Sequence, residues 1–452
     1  MTRSTTSAGL LSRKAASALL GGALVVTVCA PAWGGPTGER VTSGSASFSR
    51  DGSHTTITAS NNAIINYQSF NIGANESVRF IQPSEMARVL NRVNSPDPSV
   101  IAGSLTANGQ VFIVNQAGIY FHQGAVVDVG QLYASAGRIS DADFLAGKNH
   151  FTNLTGDVIN AGHIQAGAVH LLGSRVANMG SIVADSGVVT MVSGGDVLIG
   201  ERFGHVFAKI NGGGQGVSNT GSIEAVGGQV VLAAGDVYSV AIHNAGSVRA
   251  DSITAQGHGA GIVEIGGVLD ASSDDGIGGT VHVLGEKVGL FDALVDASGV
   301  HGGGEVLIGG DFQGKGDVPT SEFAYMSPDS EINVSAGISG DGGKAILWSD
   351  NTTRFGGTIK ATGGALGGDG GLIETSGKTS VVLKGDVNAS ARNGKGGLWL
   401  IDPIDVTISD GPTTQGTGGF GNGIYTPGDS GANVNINDVA NVLENGTNME
   451  IT

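Results

Sequence analysis

The chain has 452 residues, 79 of them glycine, with 14% charged and 5% aromatic residues and a net charge of −17. Glycine at well over twice its usual share, beside Val and Ile but few bulky groups, points to short strands and tight turns. The absence of a Gly-X-Y period excludes collagen, 40% hydrophobic residues argue against disorder, and the acidic balance argues against nucleic-acid binding, which needs a basic stripe for phosphates.

Residues 1–34 read as a secretory signal that is cleaved off. Arg3, Arg13 and Lys14 form a basic start, and residues 15–29 are apolar or small. That run is shorter than the roughly 20 residues needed to span a bilayer. Ala30-Pro31-Ala32 then supplies the small-x-small pattern of a cleavage site, placed after Ala32 or Gly34. Cys29 is the one cysteine, and Val28 before it does not suit a lipidation signal. A mature chain without cysteine has no disulfides and is held by backbone and core alone.

Residues 35–150 carry irregular but specific strand phrases. They include Thr56-Ile57-Thr58-Ala59, Ala63-Ile64-Ile65-Asn66-Tyr67, Val78-Arg79-Phe80-Ile81 and Leu90-Asn91-Arg92-Val93. Gln110-Val111-Phe112-Ile113-Val114-Asn115-Gln116-Ala117-Gly118-Ile119-Tyr120-Phe121 follows.

From about residue 150 the chain repeats apolar-x-Asn-x-Gly-x-apolar-x-Ala. Copies start at Val158, Val176, Val217 and Ile242, at spacings of 18, 41 and 25 residues. The 41-residue step reads as about two periods. Alternation puts the apolar residues on one face, and Asn-x-Gly suits a turn or bulge with positive φ. A second phrase opens with Gly-Gly and runs into a strand at Gly227, Gly278, Gly303, Gly342, Gly370 and Gly396. Repeats of this length built only from strands and turns predict an all-β fold, a parallel β-helix. A leucine-rich frame and propeller-type aromatic signatures are missing. About 350 residues at about 22 per coil give roughly 16 coils, stacked at about 4.8 Å each. The end, Asn448-Met449-Glu450-Ile451-Thr452, is strand-like and reads as a truncated frame or a short member.

These phrases together resemble the N-terminal secretion domain of the filamentous haemagglutinin family, the exoproteins of bacterial two-partner secretion. The resemblance is close over about 36–200 and looser to the end, through Leu398-Trp399-Leu400-Ile401-Asp402-Pro403. It implies a right-handed parallel β-helix with an N-terminal cap, export by Sec, and passage through an outer-membrane β-barrel transporter whose periplasmic domains bind the secretion domain. Of the family's motifs, Asn91, Arg92 and Val93 carry over intact. Asn115, Gly118 and Ile119 carry over from the second, with Gln116 and Ala117 replacing its Pro and second Asn. Asn91 and Asn115 are expected first as turn-formers inside the cap, not as direct contacts.

The expected organisation is a signal at 1–34, a capped secretion domain at 35–200, β-helix repeats at 201–408 and a terminal segment at 409–452. The expected role is a secreted or surface-attached adhesin of a Gram-negative bacterium, with a cell-surface receptor or glycan as its target. The alternatives are a delivery rod for a C-terminal toxin and a β-helical polysaccharide-degrading enzyme, the latter short of the clustered Asp and Arg/Lys it needs. No enzyme chemistry is predicted. Gly428-Asp429-Ser430-Gly431 has no histidine after His301 to activate its serine. Ser376-Gly377-Lys378-Thr379 lacks the first glycine of a phosphate loop, since position 372 is Leu. The ten histidines are scattered, without a zinc pattern, and the glycine-rich stretch around Asp369 does not repeat at nine residues as a calcium site would. No cofactor or metal is expected. Asn-x-Ser/Thr at Asn75, Asn153, Asn333, Asn351, Asn388 and Asn445 is mostly chance in so polar a chain, with glycosylation a secondary reading.

Overall fold

The computed structural model describes residues 35–402 apart from 203–204 and 236–239, and beyond 402 residues 407–409, 414–415, 432–435, 440 and 443–451. The expected signal at 1–34 with Cys29, the Pro403 of the strand phrase, the 428–431 stretch and much of 409–452 lie outside the described residues.

The chain is all-β, and a 36-stranded sheet dominates it. Three ladders of parallel strands run through that sheet, one per face of a β-helix. On the first face, Ala63–Tyr67, Arg88–Val93, Gln110–Val114, Gln131–Ser135, Ala168–Gly173 and Val188–Ser193 stack in register. On the second, Ser99–Ile101, Ile119–Phe121, Asp157–Asn160, Arg175–Asn178 and Gly216–Asn219 do the same. The third begins His54–Ala59, Ser77–Ile81, Ser104–Ala107, Val126–Val129. Alternate Val, Ile, Leu and Ala point inward from all three faces into one continuous core from Ile57 to Ile401. Parallel strands of β-branched residues are the expected outcome when each coil buries its inner side on the next.

The N-terminal end is capped. Ala46–Asp51 pairs antiparallel with His54–Ala59, and Arg40–Ser43 pairs antiparallel with Ala63–Tyr67. The hairpin turns at Gly52, whose φ of 56° suits a tight two-residue connection. Val41, Ala46 and Phe48 pack on the core's first coil. The cap thus covers an edge that would otherwise present unpaired backbone groups.

The Asn-x-Gly phrase differs from the turn predicted for it. Asn160, Asn178, Asn219 and Asn244 end strands of the second face, fully buried. Their φ values are not positive, and neither are those of Gly162, Gly180, Gly221 and Gly246. The asparagines form a ladder: each Nδ2 donates to the next Oδ1 at 2.8, 2.9 and 2.9 Å, and Asn244 finishes it on the Gly266 carbonyl at 2.8 Å. The glycines are there for close approach. A Cβ on Gly180 would overlap the Gly162 carbonyl oxygen, one on Gly221 that of Gly180, and one on Gly246 that of Gly221. The Gly-Gly phrases obey the same rule, since Gly304, Gly343, Gly371 and Gly397 each sit on the carbonyl oxygen of a glycine one coil earlier.

The 41-residue step is also one coil, not two, because Asn178 pairs directly with Asn219. The surplus residues fold as a hairpin, Asp196–Arg202 with His205–Asn211, lying outside the solenoid. Likewise Glu305 pairs with Lys344 across a 39-residue step, and residues 309–321 leave the coil as a strap carrying Phe312 and Val318 onto Leu307, Ile346 and Trp348. Both insertions cover the outer side of the first face.

Candidate functional site

Strands of the first face are buried on both sides near the N-terminus. Gln110–Val114 and Ala168–Gly173 have no exposed residue. Their outward residues, Phe112, Tyr133 and Leu172 among them, form a second apolar cluster with Phe144, Phe151, Val197 and Ile199. The cover comes from residues 136–156, which leave the solenoid, form helix Asp141–Leu145 and place Asn149–Phe151 antiparallel to Asp196–Arg202. Ser140 caps the helix: its Oγ accepts the Asp143 N–H at 3.0 Å and donates to the Asp143 carboxylate at 2.9 Å. That hydroxyl, with Lys148 and His150 nearby, holds the Asp143 carboxyl below the usual range.

The motif residues divide into core, clamp and turn. Asn91 is not a turn-former. It lies mid-strand, fully buried, with Ile65 and Ile113 as register partners, and its Nδ2 donates to the Phe112 carbonyl at 3.1 Å. Val93 is buried in the same inner core. Arg92 points outward and fastens the excursion, donating from Nη2 to the Ile139 carbonyl at 2.9 Å and to Asp141 at 2.6 Å. Arg88 does the same four residues earlier on the same outward side of the strand. Its guanidinium lies 4.8 Å from the Phe112 ring and 4.6 Å from that of Phe144, and it donates to the Phe144 carbonyl at 2.8 Å.

Asn115 is the expected turn-former. Its Oδ1 accepts the Ala117 N–H at 3.0 Å, and the Gly118 N–H closes the turn on its carbonyl at 3.0 Å. Gly118 takes φ 120°, a region that favours glycine. Ile119 then re-enters the core between Ser99 and Val158. Asn115 also reaches back: its Nδ2 donates to the Asp97 carbonyl and to Ser99 Oγ, both at 3.1 Å. It therefore pins the 94–98 loop that follows Asn91-Arg92-Val93, and the two motifs are mechanically joined.

They also share an opening. A cavity of about 590 Å³ is lined by Arg92, Val93, Asn94, Ser95, Gln116 and the 137–141 segment of the excursion. Arg138 crosses its wall and donates from Nε to Gln116 Oε1 at 2.6 Å. Sequence reasoning missed Gln116, Arg138 and Asp141 as members of this site. The available signals were the Ser140-x-x-Asp143 cap and the runs too apolar for one-sided strands. Among the described residues no cluster of His, Cys, Asp and Glu suits a metal ion.

Comparison with known proteins places these observations. A family model described as TPS secretion domain matches residues 34–271. A Heme/hemopexin-binding protein of Haemophilus influenzae is 39% identical over 101 residues, which is 22% of this chain and 11% of the relative. A second protein of that name and species is 38% identical over 98 residues, with the same shares. The match thus covers a small part of the relatives' own length. The crystal structure of the HMW1 secretion domain from Haemophilus influenzae superposes with a TM-score of 0.72 at 32% identity, covering 81% of this chain and all of that one. That domain is a β-helix, and the fold class expected from the repeats is confirmed.

Proposed function

This chain belongs to the TPS secretion-domain family, and we propose that it is a surface or secreted adhesin-like exoprotein whose N-terminal coils are recognised by an outer-membrane β-barrel transporter. The observation that supports recognition at a specific place is the shared opening beside Arg92 and Gln116. Two motifs separated in sequence meet there, and Asn115 of the second braces the loop that follows the first. Arg92 sets the position of the excursion, Asn115 sets the 94–98 loop, and the open floor between them offers polar groups to a periplasmic domain. Asn91, Val93, Gly118 and Ile119 act by keeping this frame in place.

The test separates folding from recognition. The chain is co-expressed with and without its transporter, and culture supernatant is assayed. Arg138→Glu and Ser95→Arg alter the opening without touching the core, whereas Asn91→Leu alters the core beneath it. Secretion only with the transporter, reduced at least tenfold by the first pair while purified protein keeps its strand signal, supports the proposal. Wild-type yields from both surface variants would overturn recognition at this opening. Release without any transporter would overturn two-partner secretion itself.

A further inference from the structure

Far from the secretion site, the outer side of the second face carries a patch that the fold does not require. Lys287–Leu290 heads one of its strands, Phe323–Met326 stacks on that strand, and Thr352–Phe355 stacks on the next coil. The inward residues Val288, Ala324 and Phe355 serve the core. The outward ones are Ile262, Lys287 and Phe323 in one column and Tyr325 and Arg354 in the other. At the corner, Phe291 folds back over Gly289, where a Cβ would overlap its ring. Its ring lies 5.0 Å from that of Tyr325 at 36°. Phe291 is 43% exposed and Phe323 37% exposed. Together they border an open cavity of about 340 Å³.

Two features make this patch more than exposed apolar surface. Gly289 leaves room for a ring to lie flat against the sheet, which builds a shelf of aromatic faces beside a shallow hollow. Lys287 and Arg354 flank the shelf, and neither forms an ion pair with any described residue. In a chain of net charge −17, two cations without an ion-pair partner beside exposed rings offer a carboxylate a place to bind, at the end of the column away from Glu264, which lies two coils before Tyr325. They lie two coils apart, on the order of 10 Å. Flat rings suit the apolar faces of sugar rings, and the cations suit carboxylates carried on alternate sugars of an extended chain.

We propose that Phe291, Phe323, Tyr325, Lys287 and Arg354 form a binding site for an acidic saccharide chain bearing carboxylates. The site rests on the adhesin reading above and gives it a place and a ligand chemistry. It is independent of the transporter opening, so failure of one leaves the other standing.

The probe is a hyaluronan octasaccharide, with maltooctaose as the uncharged control, titrated into the full chain by calorimetry at 50 and 300 mM salt. Two variants accompany the wild type: Lys287→Gln with Arg354→Gln, and Phe323→Ser with Tyr325→Ser. All the changed side chains point out of the coil, and retained strand signal and normal secretion verify the fold. The expected result is hyaluronan binding that weakens with salt, drops at least tenfold in each double variant, and has no counterpart for maltooctaose. Absence of hyaluronan binding by the wild type, unchanged binding in both variants, or equal binding of the neutral control would overturn the proposal. Normal secretion alongside such a failure would leave the transporter reading intact.

Discussion

Replacing Asn178 by Leu tests what holds successive coils together. Leu keeps the branched outline of Asn, but its methyl groups are bulkier, so a packing cost adds to the polar loss of each substitution and largely cancels in a double-variant cycle. Asn178 sits in the middle of the ladder. Its removal deprives Asn160 Nδ2 of its 2.8 Å bond and Asn219 Oδ1 of its 2.9 Å donor. A buried polar group left without a partner costs about 1–3 kcal/mol. Asn160 keeps longer approaches to the Gly162 and Ser181 carbonyls, so the single substitution is expected to cost about 2–4 kcal/mol. Asn219→Leu takes the 2.9 Å acceptor from Asn178 Nδ2, which keeps longer approaches to the Gly180 and Ser222 carbonyls, leaves Asn244 Oδ1 without its 2.9 Å donor, and costs a similar amount. The double variant removes both partners of the middle bond and leaves orphans only at Asn160 and Asn244. It should therefore cost less than the sum of the two singles, by a coupling energy of about 2–4 kcal/mol. Urea unfolding gives the totals, and hydrogen exchange in Arg175–Asn178 and Gly216–Asn219 localises the loss, because coils in a solenoid act chiefly on their neighbours. A double variant that costs the sum of the singles within about 0.5 kcal/mol would refute the ladder as a cooperative unit.

Other expectations concern charge and backbone. Glu374 is buried under the strap, its Oε2 accepting the Gln313 N–H at 2.9 Å, and burial raises its carboxyl to about 7. The folded state thus holds a proton that the unfolded chain releases near 4.5, so stability is full below pH 4.5 and falls as pH rises to about 7; Tm measured at pH 5 and 8 should show this fall and Glu374→Gln should flatten it. His170 is buried against Tyr133 and donates to or accepts from Thr190 at 2.9 Å, and burial lowers it to about 3. Its contribution runs the other way: stability is full above 6.5 and is lost as pH falls toward 3, a loss that His170→Leu should reduce in acid unfolding. Gly343→Ala puts a Cβ on the Gly304 carbonyl oxygen, a backbone atom that cannot swing away, and should lower stability by about 3 kcal/mol or more. Gly52→Ala, with no atom within 4 Å of the new Cβ, should cost only about 1–2 kcal/mol for its left-handed backbone; equal urea midpoints for the two would contradict the close-approach account.

The β-helix was legible because every coil repeats the same burial problem. Val158, Val176, Val217 and Ile242 announce it, and they stack in register. Two things were hidden. The Asn-x-Gly phrase has the composition of a turn, and only stacking reveals that its Asn needs a neighbouring Asn and its Gly a neighbouring carbonyl. The 41-residue step looks like two coils because an insertion that pairs with Asn149–Phe151 leaves no mark on the period. The candidate site shows the same limit. Arg92 and Asn115 were found by resemblance, but their roles as clamp and loop anchor depend on residues 136–156, which meet them only after folding.

The transporter contact is tested most directly by site-specific photocrosslinking during export. A benzoylphenylalanine is placed at Ser95, at Gln116, or at Phe323 on the distant aromatic shelf, and crosslinks to the transporter's periplasmic domains are read on intact cells. Adducts are expected from Ser95 and Gln116 and none from Phe323. Efficient secretion with no adduct at Ser95 or Gln116, or equal adducts from all three positions, would contradict it.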